Sequence, residues 1–273
     1  MAEQYDAIII GAGIIGAATG FELAKRGYKT LNLDRHPAAG YGSTGNSCAI
    51  IRVHYSTLDG TALAYESYFH WHDWAAYLDC ADERGPARFV ECGCLVMQTE
   101  TNDYLAKHIA LSEALGIPFQ VWDPARIRRK LPIYQLACFG PPCTQGDAGF
   151  GEPTGGQVES AIFWPTAGYI SDPQLATHNL QRAAEAKGGR FRFNASAIEV
   201  LRQNGRTAGV RLADGTALHS PVVVNVAGPH SAKVNAMAGV LDDSQAARKS
   251  ALITAQSSGA VSSDGLVEGG GNA

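Results

Sequence analysis

The run Gly11-Ala12-Gly13-Ile14-Ile15-Gly16 constrains this chain most, because it joins an apolar strand pattern directly to a helical one. Tyr5–Ile10 is short and almost continuously apolar, as expected of a parallel strand buried on both faces. From Ile14 the apolar residues Ile14, Ala17, Ala18, Phe21 and Ala24 recur at helical spacing, and Lys25-Arg26-Gly27 supplies cationic last-turn residues and a terminating glycine. Thr30–Leu33 reads as a second strand that ends at Asp34. The whole is a βαβ unit. Gly11 permits the tight turn, Gly13 lets a pyrophosphate approach the backbone, and Gly16 lets helix and strand pack closely. The exposed N–H groups and positive helix end suit an anion. Asp34 stands where a carboxylate would grip a ribose hydroxyl. A ligand-free glycine turn is the alternative, and strand, helix and acid standing in register argue for a dinucleotide.

The residues after Asp34 discriminate between dinucleotides. Asp34-Arg35-His36-Pro37 leads into Gly40-Tyr41-Gly42-Ser43-Thr44-Gly45-Asn46-Ser47, a small-residue turn that is expected to open a further helical segment over Asn46–Arg52. Its N–H and hydroxyl donors suit a second phosphate contact and close approach to a flavin, which points to FAD rather than NAD(P). A surface loop with Ser and Asn caps is the plainer reading.

The rest of the chain is coarser in its signals. An aromatic-rich helix is expected over Thr61–Leu78, a strand over Arg88–Gln98, a helix over Asn102–Leu115 and a strand over Pro118–Trp122, with Asp123-Pro124 starting a short helix. Residues 132–160 are rich in Pro, Gly and Cys and read as a long loop or domain crossing. Then follow a helix over Pro173–Lys187, strands at Arg190–Phe193 and Ala197–Leu201, a hairpin of Gly209–Leu212 and Thr216–His219, a buried strand over Pro221–Ala227 and a last helix from Gly228-Pro229. Beyond Gly239 the pattern dissolves, and Ser250–Ala273 reads as a linker, a misread frame or the end of a fragment.

Bulk properties exclude some classes of partner. A net charge of −4 offers no basic surface for nucleic acid, and the apolar stretches around Gly11–Phe21 and Val222–Ala227 are shorter than a bilayer span. The N-terminus enters a strand at once with no basic leader, which implies a cytoplasmic protein. Six cysteines (Cys48, Cys80, Cys92, Cys94, Cys138, Cys143) have no metal-site spacing, so no metal is expected and the thiols are expected to be reduced and mostly buried.

Taken together, Asp6–Gly16, Asp34-Arg35, Ser43–Arg52, Gly168-Tyr169-Ile170-Ser171-Asp172-Pro173 and Val222–Pro229 resemble the D-amino-acid-oxidase-like (DAO) superfamily of FAD enzymes, in its sarcosine oxidase, glycine oxidase and dimethylglycine dehydrogenase branch. The resemblance runs in family order from residue 6 to about 235. It implies an α/β fold: a discontinuous Rossmann-like FAD-binding domain over 1–80 and 155–240, an inserted α+β substrate domain in part over 81–154, and a tail over 241–273. It implies that Gly11, Ala12, Gly13, Ile14, Ile15 and Gly16 hold the FAD pyrophosphate, Asp34 the ribose, and Arg35 the adenine side. Ser43, Thr44 and Ser47 would line the pyrophosphate and flavin approach, Ala197 would contact adenine through its backbone, and Ala227-Gly228 would close over the cofactor. The family often has an aromatic two residues after that glycine. Here it is His230.

The implied activity is oxidation of the C–N bond of an amino acid or N-substituted amino acid, by hydride transfer to the flavin. Related alternatives are a flavoenzyme acting on a 2-hydroxy acid or glycerol phosphate, and a non-catalytic FAD-binding fragment that needs a partner subunit. Arg52 and His54 are the candidates for substrate handling, although a surface arginine and a packed histidine are the plainer readings. The aromatic stripe of 61–78 would serve a cationic amine or simply form core. Cys48 lies in the flavin-proximal stretch, with no family precedent for attachment there. The family's later sheet strands, flavin cap and substrate-carboxylate arginine are not recognisable after Gly239, so a chain of this extent is expected to turn over poorly.

Overall fold

The structure, a computed structural model, describes residues 3–99 and 105–240. In chain order the elements are β1 (Ala7–Ile10), α1 (Ile14–Lys25), β2 (Thr30–Leu33), β3 (Ile50–Ile51), α2 (Leu58–His72), α3 (Trp74–Leu78), β4 (Phe89–Val90) and β5 (Cys94–Gln98). They continue as α4 (Leu105–Ala114), β6 (Gln120–Trp122), α5 (Pro124–Lys130), β7 (Ser160–Trp164), β8 (Gly168–Ile170) and α6 (Pro173–Ala186). The last are β9 (Arg190–Arg192), β10 (Ala197–Gln203), β11 (Arg206–Leu212), β12 (Ala217–His219), β13 (Val223–Asn225), a 3-10 turn at Gly228–His230 and α7 (Ser231–Met237). Two compact units result: residues 3–43 together with 180–240, and Thr44–Asn179, with the boundary falling inside α6.

The first unit holds a four-stranded parallel sheet in the order β13-β1-β2-β9. Its central strands are wholly buried, as their unbroken apolar runs require. The sheet packs on an antiparallel β10-β11-β12 meander through Tyr5, Ile8, Ile10, Leu31, Leu33, Val210, Leu212 and Leu218. Asn204 (φ 51) and Gly205 (φ 77) turn β10 into β11, left-handed conformations that an Asn-Gly pair adopts at low cost. The strand expected over 221–227 is shorter and only half-buried, because β13 lies at the sheet edge with β1 as its single partner among the described residues.

The second unit is built from two small antiparallel sheets, β3-β8-β4 and β5-β7-β6. Gly168 is required where β8 meets β4, since a Cβ there would lie 2.0 Å from the Val90 carbonyl oxygen. Asp172 caps α6 by accepting the Leu175 N–H at 2.9 Å, ahead of Pro173 at the helix start.

Three expected elements come out differently. No helix forms over Asn46–Arg52: Ala49 has φ 50, the Ser47 hydroxyl accepts its N–H at 2.9 Å, and Ile50–Ile51 pairs with β8 instead. The helix expected over 61–78 starts earlier, at the Thr57 cap, and breaks at Asp73, whose backbone leaves the helical region (φ −114, ψ 51). The strand expected over 88–98 is split by Gly93 (φ 78). Part of the helix expected over 102–115 lies outside the described residues, as does all of 241–273. The cysteines are not buried either: Cys48, Cys92 and Cys143 are exposed and the other three half-buried, because they sit in turns and at the ends of short strands. Among the described residues no helix is long and apolar enough to cross a membrane.

Candidate functional site

The C-terminal edge of the parallel sheet is where β1, β2 and β13 deliver their following segments side by side. Gly11 leaves β1 with φ 121, and its N–H donates to the Leu33 carbonyl at 2.8 Å. A Cβ on Gly11 would fall 2.4 Å from the Val226 carbonyl oxygen, so this position is closed to any side chain. Gly16 is equally constrained, because a Cβ there would meet the Gly11 carbonyl oxygen at 2.1 Å. These are the close helix–strand approaches for which the glycine spacing exists.

Ala12 and Asp34 lock the turn. Asp34 Oδ2 accepts the Ala12 N–H at 2.7 Å, Asp34 Oδ1 accepts the His36 N–H at 2.9 Å, and the Ala12 carbonyl accepts the Gly40 N–H at 2.9 Å. A residue that the sequence reading passed over completes the arrangement. Asn32, fully buried in β2, donates its side-chain amide to the Gly16 carbonyl at 2.8 Å and to the Gly11 carbonyl at 3.4 Å. The signal was an amide inside an otherwise apolar buried strand, which calls for internal partners.

The helix start carries the chemistry. Gly13 is the extended N-cap of the twelve-residue α1, with no side-chain cap bond and no acidic residue in the first turn. Ile15 stands 66% exposed there. The N–H groups of a helix first turn, at the positive end of the helix, suit an anion of pyrophosphate type. The residues present therefore fit a dinucleotide.

Within the first unit, the segments that follow β2 and β13 share this edge. Arg35 donates from Nη2 to His230 Nε2 at 2.8 Å. Ala227 and Gly228 (φ 57) lead into the 3-10 turn that carries His230. Ala197 opens β10, half-buried, and packs with Ala227 against the core. The chain beside Asp34 is fixed by Asp34 N–H to Arg192 O (3.0 Å) and Ala195 N–H to Asp34 O (2.8 Å). Ser43 ends the first segment of the first unit. Thr44 and Ser47 belong to the second, where the Ser47 N–H donates to the Thr44 carbonyl at 3.1 Å.

The second unit holds the two substrate candidates. Arg52 follows β3 rather than ending a helix, and its exposed guanidinium lies 4.7 Å over the Tyr55 ring. His54 is buried, stacked on Trp164 at 4.0 Å and edge-on to His108 at 5.4 Å. Burial, with the neighbouring His108 and Arg52, pulls its pKa down to about 4, and its Nδ1 finds no hydrogen-bond partner. This is a neutral packing histidine at pH 7. Among the aromatics of α2, Tyr68 packs in the core and donates to Glu91 at 2.6 Å; burial, and then this bond, push its phenol up to about 12. Asp82, Glu83 and His178 bring ligand-type atoms within 4.8 Å of one another. Asp82 is already committed to the Arg84 N–H, Asn179 Nδ2 and His178 Nδ1, which describes an anchor for α6.

Comparison with known proteins agrees with this geometry. The family model described as DAO, FAD dependent oxidoreductase, matches residues 6–268, running past the point where the sequence alone shows no family pattern. N-methyl-L-tryptophan oxidase from Yersinia pestis (strain Pestoides F) is 24% identical over 223 residues, covering 81% of this chain and 53% of its own length. L-proline dehydrogenase from P.horikoshii has a similar structure (TM-score 0.70, 23% identity, covering 88% of this chain and 57% of its own). So has glycine oxidase from Geobacillus kaustophilus (TM-score 0.66, 23% identity, 86% and 58%). The chain thus spans about half the length of the curated relatives it matches.

Proposed function

This chain belongs to the DAO family of FAD-dependent oxidoreductases, and from that premise we propose that it serves the oxidation of a C–N bond in an amino acid or N-substituted amino acid. The observation that carries the cofactor part is the uncapped glycine start of α1 at the parallel sheet edge, beside a carboxylate at the end of β2. The relatives' names support the substrate class, since they speak of an N-methyl amino acid, proline and glycine.

In this reading the first-turn N–H groups of Gly13, Ile14 and Ile15 hold the pyrophosphate, and Gly11 and Gly16 keep the turn tight enough for its approach. Asp34 takes the ribose with lone pairs left over from Ala12 and His36; an ionised carboxylate has about four acceptor sites. Arg35, Ser43, Ala197, Ala227 and Gly228 of the first unit are proposed for the remainder, and Thr44 and Ser47 keep the flavin-side role that the family resemblance implies. FAD supplies the electron acceptance when bound, and the protein supplies binding, orientation and exclusion of water. The proposed FAD-binding domain is 1–80 with 155–240, around a partial substrate domain of 81–154. A discontinuous first domain is supported by the clustering of residues 3–43 with 180–240. Arg52, exposed and cationic, is the residue proposed to meet a substrate carboxylate. His54 is too enclosed to exchange protons with a substrate, and its proposed part is to back the wall on which Arg52 sits.

The test is anaerobic bleaching of the FAD-reconstituted chain by amino acids, N-methyl amino acids and 2-hydroxy acids in parallel. Loss of flavin absorbance with the first two classes is expected. Bleaching by hydroxy acids alone would overturn the substrate reading.

A further inference from the structure

We infer that Arg35 and His230 form a clasp across the strand-end crevice, and that His230 positions Arg35 over the adenosine half of FAD. The inference rests on the FAD-binding reading above. β1 lies between β2 and β13, and all three run parallel, so their C-terminal ends share one edge. Arg35 follows β2 and His230 follows β13, which puts their backbones on opposite sides of the glycine turn that leaves β1. Two strand spacings separate those sides, roughly 9–10 Å. The side chains close that gap, meeting at 2.8 Å between Nη2 and Nε2.

Both ends are held by their own backbones. Asp34 fixes the Arg35 segment through the Ala12, His36 and Ala195 bonds, and the His230 N–H donates to the Ala227 carbonyl at 3.1 Å. Arginine has no acceptor, so Nε2 must accept and the imidazole proton must sit on Nδ1. That orients the ring as well as the guanidinium. The contact is exposed and joins residues 195 positions apart, and exposed contacts add little to stability. What this one supplies is location: it crosses the mouth through which an adenosine diphosphate group would lie along Gly11–Gly13. A guanidinium held there offers planar stacking and phosphate-directed donors that a free surface arginine would first have to order.

The test titrates FAD and ADP, which carries the adenosine diphosphate half alone, into the full chain and into Arg35→Ala, His230→Ala, His230→Gln and the Arg35/His230 double alanine variant. Each single alanine change is expected to weaken both ligands about five- to tenfold, with the double variant no weaker than either. His230→Gln, which keeps an acceptor, is expected to recover most of the loss, and the thermal midpoints are expected to stay unchanged. Unchanged or tighter binding in the single variants, or strictly additive losses in the double variant, would overturn the clasp while leaving the FAD site standing. Failure of the unaltered chain to bind either ligand would overturn the parent reading and the clasp with it.

Discussion

The carboxylate of Asp34 accepts the backbone N–H of Ala12 at 2.7 Å, tying the end of one parallel strand to the glycine turn that follows its neighbour. Its other oxygen holds the His36 N–H at 2.9 Å, so the residue shapes two loops before any ribose arrives. The sequence alone suggests that only a ribose would call for an acid here. The structure adds this backbone role.

Asp34→Ala should therefore weaken FAD and also loosen the turn. Losing a charge-assisted hydrogen bond costs about 1.5–3 kcal/mol, so affinity should fall roughly ten- to a hundredfold. A lower thermal midpoint should accompany it in the absence of FAD. Fluorescence titration and thermal melts of the same samples separate the effects, and unchanged values in both would contradict the assignment.

Gly16→Ala should abolish FAD binding with one methyl group. The new Cβ would lie 2.1 Å from the Gly11 carbonyl oxygen, and neither backbone can yield without moving α1 off β1. Gly27→Ala is a poor control because Gly27 has φ 85. Gly146→Ala is the better one, with open space around the added atom and no place in the proposed FAD site. Equal FAD affinity in the Gly16 and Gly146 variants would show that the helix approach is not needed.

Asn32→Leu should disturb the same turn from beneath. The variant removes the amide whose 2.8 Å bond to the Gly16 carbonyl ties β2 to the start of α1, and losing such a hydrogen bond costs about 0.5–1.5 kcal/mol. Urea unfolding is expected to show that loss, and FAD affinity should fall with it. A variant as stable as the parent and equally tight for FAD would reduce Asn32 to filler.

These residues mark how far the sequence could be read. The β1–α1–β2 unit was legible because strand, glycine turn and helix each leave a local pattern within Tyr5–Leu33. The site residues of that unit follow from it. The contact of Arg35 with His230 is set by strand order, which no local pattern carries. Likewise β7 went unread: Ser160–Trp164 follows a Pro- and Gly-rich run, and its partners are the distant segments 94–98 and 120–122. The false helix at Asn46–Arg52 came from small residues at plausible spacing, which Ala49 overrides by adopting φ 50.

His54 gives the second unit a pH-dependent stability of definite sign. Burial lowers its pKa from 6.5 to about 4, so in the acid range the unfolded chain binds the proton more tightly. Stability should be full above the unfolded value near 6.5 and fall as the pH drops from there towards 4, by on the order of 2–3 kcal/mol. His108, lowered in the same direction by burial, steepens the slope. His54→Phe should flatten the curve measured by denaturant unfolding between pH 7.5 and 4.5, and an unaltered slope would show that the histidine is not buried neutral.

The most direct test of the central claim is equilibrium titration of this chain with FAD, followed by flavin fluorescence, beside the Gly13→Val variant. A valine at the helix N-cap would occupy the space that a pyrophosphate needs. Saturable binding with one FAD per chain, lost in the variant, is the expected result. No saturable binding by the parent chain, or equal binding by both, would contradict the claim that the glycine start of α1 holds the cofactor.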